Sequence, residues 1–192
     1  RKVHFGSLMD LCHVKHSELE AKFHKYKGRV VFRGDQVRDE DCFYAVLSEQ
    51  GTSASQLAAA KFIDALARCE GNDGEDSDVV GAYTQTVLGG EETWISLPRS
   101  RRPASWDSID EPVCRLIRNL YGHPLAGLYW EQHCTKAIEK AGFEKVKGWE
   151  CLFQHRQKKL FLSVYVDDFK MAGPKQHLQE MWKTLGKDLT LE

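Results

Sequence analysis

Leu160-Phe161-Leu162-Ser163-Val164-Tyr165-Val166-Asp167-Asp168-Phe169-Lys170-Met171-Ala172 is the stretch that decides the fold. Leu160, Leu162, Val164 and Val166 fall on one side of a chain with period two, which predicts a strand over 159–166 with one buried face. Upstream, Glu150 to His155 is separated from it by the polar turn Arg156-Gln157-Lys158, so the two read as a hairpin. A second hairpin is expected to turn at Asp167-Asp168 and to return through Phe169 to Ala172. Two-residue hairpin turns favour Asn-Gly or Asp-Gly. Two adjacent carboxylates at the tip of a core strand cost free energy unless a cation sits with them. Taken alone, the pair reads rather as a solvated acidic turn.

Working outward, three amphipathic helices are expected. The first spans 53–68, with Ser53 and Gln56 in a capping-box pattern and Ala59, Phe62, Ile63 and Leu66 on one face. The second runs over 126–141, with Trp130, Cys134, Ala137 and Ala141 on a stripe and Gly142 as the stop. The third follows Pro174, with Leu178, Met181, Trp182 and Leu185 at helical spacing. Short strands are expected at 29–33 and 93–97. The segment 71–78 reads as a polar acidic loop, and 99–111 as a second loop with a basic start. The fold class is α+β, an antiparallel sheet with helices packed on one face.

Composition excludes several classes. The 192 residues carry 27 Lys+Arg and 28 Asp+Glu, for a net charge of -1, and 42% are hydrophobic. Neither a cationic tail nor an acidic disordered chain fits. No apolar run approaches the ~20 residues of a membrane span, so no membrane partner is expected. The near-zero charge is a cancellation: residues 1–38 balance at +5, residues 39–96 at -10 and residues 97–192 at +4. The positive flanks are plausible phosphate contacts. The six cysteines form no Cys-x-x-Cys pair, which suits a reducing, intracellular setting. Cys12, His13 and His16 lie close together and have the types of zinc ligands, but the favoured reading is one buried Cys beside two exposed His. The chain opens on Arg1 without an initiator Met or signal-peptide pattern, so it is expected to be a piece of something longer. There is no Walker loop, no His-Glu-x-x-His and no Gly-x-Ser-x-Gly.

A third carboxylate changes the reading of the Asp-Asp pair. Asp78-Val79-Val80-Gly81-Ala82-Tyr83 reads as a strand end running into a short helix. Asp78 there is able to converge with Asp167 and Asp168 on one hard cation such as magnesium. Together, Asp-Val-x-x-Ala-Tyr and Tyr-Val-Asp-Asp resemble the catalytic motifs of reverse transcriptases. Further stretches narrow the resemblance to the copia-type (Pseudoviridae-like) retrotransposon polyproteins. These are Lys27-Gly28-Arg29-Val30-Val31-Phe32-Arg33-Gly34, Val113-Cys114-Arg115-Leu116, Leu120-Tyr121-Gly122, Trp130, Ala141-Gly142-Phe143 and Leu185-Gly186-Lys187-Asp188-Leu189.

The resemblance implies a right-hand polymerase fold. Residues 1–24 would be an extension leading into the fingers, and residues 25–192 the fingers and palm, without thumb or ribonuclease H. It implies an RNA-directed DNA polymerase that adds dNTPs to a primer on an RNA or DNA template. Asp78, Asp167 and Asp168 would be catalytic and, with the Val79 carbonyl, would hold two Mg2+ ions, with Mn2+ as an alternative. Ala82 and Tyr83 would border the incoming sugar, and Lys27 and Arg29 would meet the triphosphate. The rest of the polyprotein, integrase and ribonuclease H included, would be partners, in a cytoplasmic virus-like particle and in the nucleus. Leu125 and Leu128 stand where the family usually has Gln and Arg. That departure leaves a second reading open, a catalytically inactive remnant that binds nucleic acid or protein.

Overall fold

A computed structural model describes residues 2–45 and 57–192. In chain order its elements are β1 (Val3–Lys15), β2 (Lys25–Phe32), α1 (Leu57–Ala67), β3 (Asn72–Asp78), β4 (Glu92–Ser96), β5 (Val113–Arg115), α2 (Ala126–Lys140), β6 (Glu144–Lys145), β7 (Leu152–His155), β8 (Leu160–Tyr165), β9 (Asp168–Pro174) and α3 (Lys175–Leu185). The chain divides into two compact units. One comprises Arg1–Glu49 with Val87–Ala126, and the other Gln50–Thr86 with Gly127–Glu192. The class is α+β, as expected. The capping pair Ser53 and Gln56 lies outside the described residues.

The first unit is a four-stranded sheet in the order β2-β1-β4-β5. β1 pairs antiparallel with β2 and parallel with β4. The sheet is therefore mixed, and the expectation of a purely antiparallel sheet is corrected here. Phe32, Val37 and Ile95 form its core with Leu8, Leu97, Cys114 and Leu120 packed around them. Gly122 has φ 87°, and a Cβ there would stand 2.1 Å from the Phe32 carbonyl oxygen. Only glycine lets these two chains approach so closely.

His123 follows, with its ring 5.0 Å from that of Phe32. Its Nδ1 accepts a hydrogen bond from the Leu125 N–H at 3.2 Å. Burial first, and then the charge of His4, lower its pKa from 6.5 to about 4. Protonation would convert the accepting Nδ1 into a donor facing another donor.

The second unit holds a five-stranded antiparallel sheet in the order β3-β9-β8-β7-β6. Alternate residues divide between its faces. Leu160, Leu162 and Val164 of β8 join Phe169 and Met171 of β9 in a core with Trp130, Cys134 and Ile138 of α2 and Leu178, Met181 and Leu185 of α3. Phe161, Leu152 and Ala172 belong to a separate cluster with Ala59, Ile63, Phe62 and Leu66 of α1. Helices thus cover both faces rather than one. The expectation failed because Phe161 and Ala172 are apolar too: β8 and β9 are buried on both sides, which only a continuous apolar run signals.

The acidic segment 71–78 also departs from expectation. It is not a loop but the edge strand β3, paired with β9 from Asn72↔Pro174 to Asp78↔Asp168. Asp, Asn and Gly are poor strand formers. Here backbone pairing and charge partners override propensity. Gln179 donates to Glu75 at 2.9 Å, and Lys175 pairs with Asp73 at 3.6 Å. Charges on an edge strand also discourage pairing with other chains. At Gly74 a Cβ would come within 2.7 Å of the Ala67 Cβ, so the missing side chain lets α1 close on β3.

His123 supplies a pH prediction. Its folded pKa is depressed, so its contribution is complete above the unfolded value and is lost as pH falls from 6.5 towards about 4. Urea titrations across that window should show wild type losing on the order of 2–3 kcal/mol more than His123→Gln, which cannot titrate.

Candidate active site

The site is built on the turn between β8 and β9. Tyr165 pairs with Asp168, so the two-residue loop is Val166-Asp167. The expected turn at Asp167-Asp168 is shifted by one residue, and Asp168 is the first residue of β9. Val166 has φ 56°, a conformation β-branched residues avoid. Such strain persists only where the surroundings over-determine it. Here the Trp130 indole N–H donates to the Val166 carbonyl at 2.7 Å. The Val79 N–H donates to the Asp167 carbonyl at 2.8 Å. Both carbonyls of the turn are thus held, one by α2 and one by the residue after β3.

Asp78 is fixed equally firmly. It ends β3, and its N–H and carbonyl both bond the backbone of Glu192. Val80 donates to the Thr190 carbonyl. Val79 is buried at 3% exposure. Gly81 then takes a left-handed φ of 58° and starts a 3-10 turn over Ala82–Gln85. This is the short helix expected after Asp78. Ala82 is fully buried, and Tyr83 lines a cavity with Trp130, Cys134, Phe153, Val164 and Val166 beneath the turn. Burial pushes the Cys134 thiol up to about 12, which removes it as a nucleophile.

The register puts Asp78 directly opposite Asp168. Both residues are exposed, while Asp167 is partly buried. Burial, the charges of Asp167 and Asp78, a hydrogen bond with Asp78 and the charge of Asp76 together raise the Asp168 carboxyl above its ordinary range. Crowded carboxylates of this kind share a proton or take up a cation. Asp78 and Asp168 also line a cavity of about 300 Å³ with Asp76, Ser163, Tyr165 and Lys170.

The donor chemistry fits magnesium. Among the described residues no group of three or more His, Cys, Asp or Glu side chains is arranged to hold a metal ion. Magnesium does not need one, because it is characteristically held by one or two carboxylates plus substrate phosphates and water. The zinc reading of Cys12, His13 and His16 is corrected. Cys12 and His13 are consecutive on β1 and point to opposite faces, and His16 lies past its end.

Lys27 and Arg29 belong to the other unit. They sit two apart on β2, opposite His13 and Leu11, and both are exposed. The Arg29 guanidinium lies 5.7 Å from the centre of the Tyr121 ring.

The family described as reverse transcriptase (RNA-dependent DNA polymerase) matches residues 10–192. The chain belongs to this family, as a copia-type retrotransposon region. This reverse transcriptase region is 30% identical over 92 residues to the Transposon Ty1-DR4 Gag-Pol polyprotein of Saccharomyces cerevisiae. The Transposon TyH3 Gag-Pol polyprotein of the same yeast matches to the same extent. The alignment covers 47% of this chain but only 5% of each of those polyproteins. It covers 7% of the Truncated transposon Ty1-A Gag-Pol polyprotein. No helix among the described residues of this reverse transcriptase region is long and apolar enough to cross a membrane.

Two residues of the site were not singled out by sequence, Asp76 and Lys170, and neither was Asp64, whose carboxylate pairs with Lys170 at 2.8 Å. Period two read backwards from Asp78 would have put Asp76 on the same face, had 72–78 been recognised as a strand. The bond from Trp130 to the turn carries no sequence signal beyond the presence of the Trp. Replacing Trp130 by Phe keeps an aromatic ring but leaves the Val166 carbonyl without that donor. The variant is expected to lose about 2 kcal/mol of unfolding free energy in urea titration, with its circular dichroism unchanged.

Proposed function

We propose that this region is the fingers and palm of an RNA-directed DNA polymerase, with residues 1–24 leading into the fingers and residues 25–192 forming the fingers and palm. The reaction is nucleotidyl transfer. The primer 3′-hydroxyl attacks the α-phosphorus of a dNTP, a phosphodiester bond forms, and pyrophosphate leaves. The observation that carries the reading is the apposition of Asp78 and Asp168 across β3 and β9, beside a turn whose two carbonyls are tied down. Preorganised charge of this kind is what a phosphoryl-transfer site needs, since catalysis there is mostly positioning and electrostatics.

In this reading Asp78, Asp167 and Asp168, with the Val79 carbonyl, hold two magnesium ions, or manganese in their place. Bound there, the metal supplies a lower pKa to the attacking hydroxyl and charge neutralisation to the triphosphate. Tyr83 and Ala82 border the sugar, and the Tyr83 ring rejects a 2′-hydroxyl by steric clash. Lys27 and Arg29 offer charge to the triphosphate. The template is RNA or DNA with an annealed primer. Integrase and ribonuclease H of a Gag-Pol polyprotein are the partners in the chain. The setting is intracellular, in a cytoplasmic particle and in the nucleus.

A second reading is favoured by Leu125 and Leu128, which replace polar family residues at the start of α2. In it the fold persists as a binding domain without polymerising. Primer extension on an RNA template with magnesium separates the two. Asp167→Asn is expected to lower the rate on the order of a thousandfold, the worth of several kcal/mol of charge stabilisation. Equal extension by wild type and variant, or none by either, leaves only the binding domain.

A further inference from the structure

Lys170 is a lysine planted inside the acidic site. It lies on β9 two residues beyond Asp168, so both side chains rise from the same face of the sheet. Its register partner on β3 is Asp76, two residues before Asp78. All four line the same cavity, in which Lys170 is the only cationic side chain among the described residues. Residues two apart on a strand are separated by about 7 Å, a distance a flexible lysine stem spans. Released from any other partner, the ammonium has Asp76 directly across the register and Asp78 and Asp168 one step along the two strands, so it adds positive charge to the carboxylates of the site.

It is instead held elsewhere. The Lys170 Nζ lies 2.8 Å from Asp64 Oδ1, a contact between residues 106 positions apart. Asp64 sits on α1 one helical turn beyond Ala60, which lines the same cavity. The helix is seated close to the sheet because Gly74 has no side chain to meet Ala67. Exposed ion pairs contribute little to stability, so stability alone does not explain a cation at this position.

We propose that Asp64 is a positioning residue that parks Lys170 away from Asp78 and Asp168, keeping those carboxylates open for a divalent cation. The inference rests on the reading of the three aspartates as the metal-binding site and deepens it. Without Asp64, Lys170 competes with the metal for the same charge. Without Lys170, there is no competitor, and Asp64 ceases to matter for the metal.

The test is the magnesium concentration that gives half of the metal-induced rise in melting temperature, measured on the whole chain. Asp64→Asn is expected to raise that midpoint about fivefold, the equivalent of ~1 kcal/mol from one nearby charge. Lys170→Gln is expected to lower it, and Asp64→Asn in the Lys170→Gln background to leave it where Lys170→Gln put it. Asp64→Glu, which keeps the carboxylate, should stay near wild type. A purely structural ion pair would lower the melting temperature in the absence of metal and leave the midpoint alone, and that result overturns the proposal. So does an Asp64→Asn effect of equal size with and without Lys170. A magnesium shift that Asp167→Asn abolishes while Asp64→Asn leaves it unchanged sinks the proposal but spares the site. No magnesium shift in wild type sinks both.

Discussion

Everything at the acidic site depends on the two hydrogen bonds that hold the Val166-Asp167 turn. One comes from the Trp130 indole and the other from the Val79 amide. Val166 occupies a positive-φ backbone conformation that a two-residue hairpin loop requires at its first position but that costs free energy for a β-branched residue. The two donors belong to different elements, α2 and the segment after β3. The turn therefore acquires its geometry only when the sheet edge and the helix are both in place. That coupling makes a local feature, two adjacent aspartates, a property of the whole second unit.

The same constraint explains why an acidic strand is tolerated at the sheet edge. β3 contributes almost no apolar surface. It is held by its ladder to β9, by the backbone bonds from Asp78 and Val80 to residues 190–192, and by side-chain partners on α3. Its register delivers Asp78 opposite Asp168 and Asp76 opposite Lys170. Charge that would be unfavourable in a core strand is tolerated at the edge, where Asp76 and Asp78 stay exposed to solvent.

Much of this was legible in the sequence. The helices at 126–141 and after Pro174 and the hairpins around β8 follow from periodicity, whereas the approach of Asp78 to Asp168 is expected from the resemblance in motifs. Four features were not. β3 was hidden because its residues carry loop propensity, and only tertiary pairing makes it a strand. The second covered face of the sheet was hidden because a two-sided strand has no polar alternation to reveal it. The turn moved by one residue because cross-strand register, not composition, decides which two residues lie in it. The Asp64–Lys170 contact, made between distant segments, has no local signature at all.

Hydrogen exchange at the Trp130 indole N–H tests the central claim most directly. If the bond to Val166 fixes the turn, that proton exchanges only through the opening that also exposes the buried amides of β8, and its protection matches theirs. An indole proton that exchanges at the rate of an unprotected tryptophan, while the β8 amides remain protected, would contradict the account.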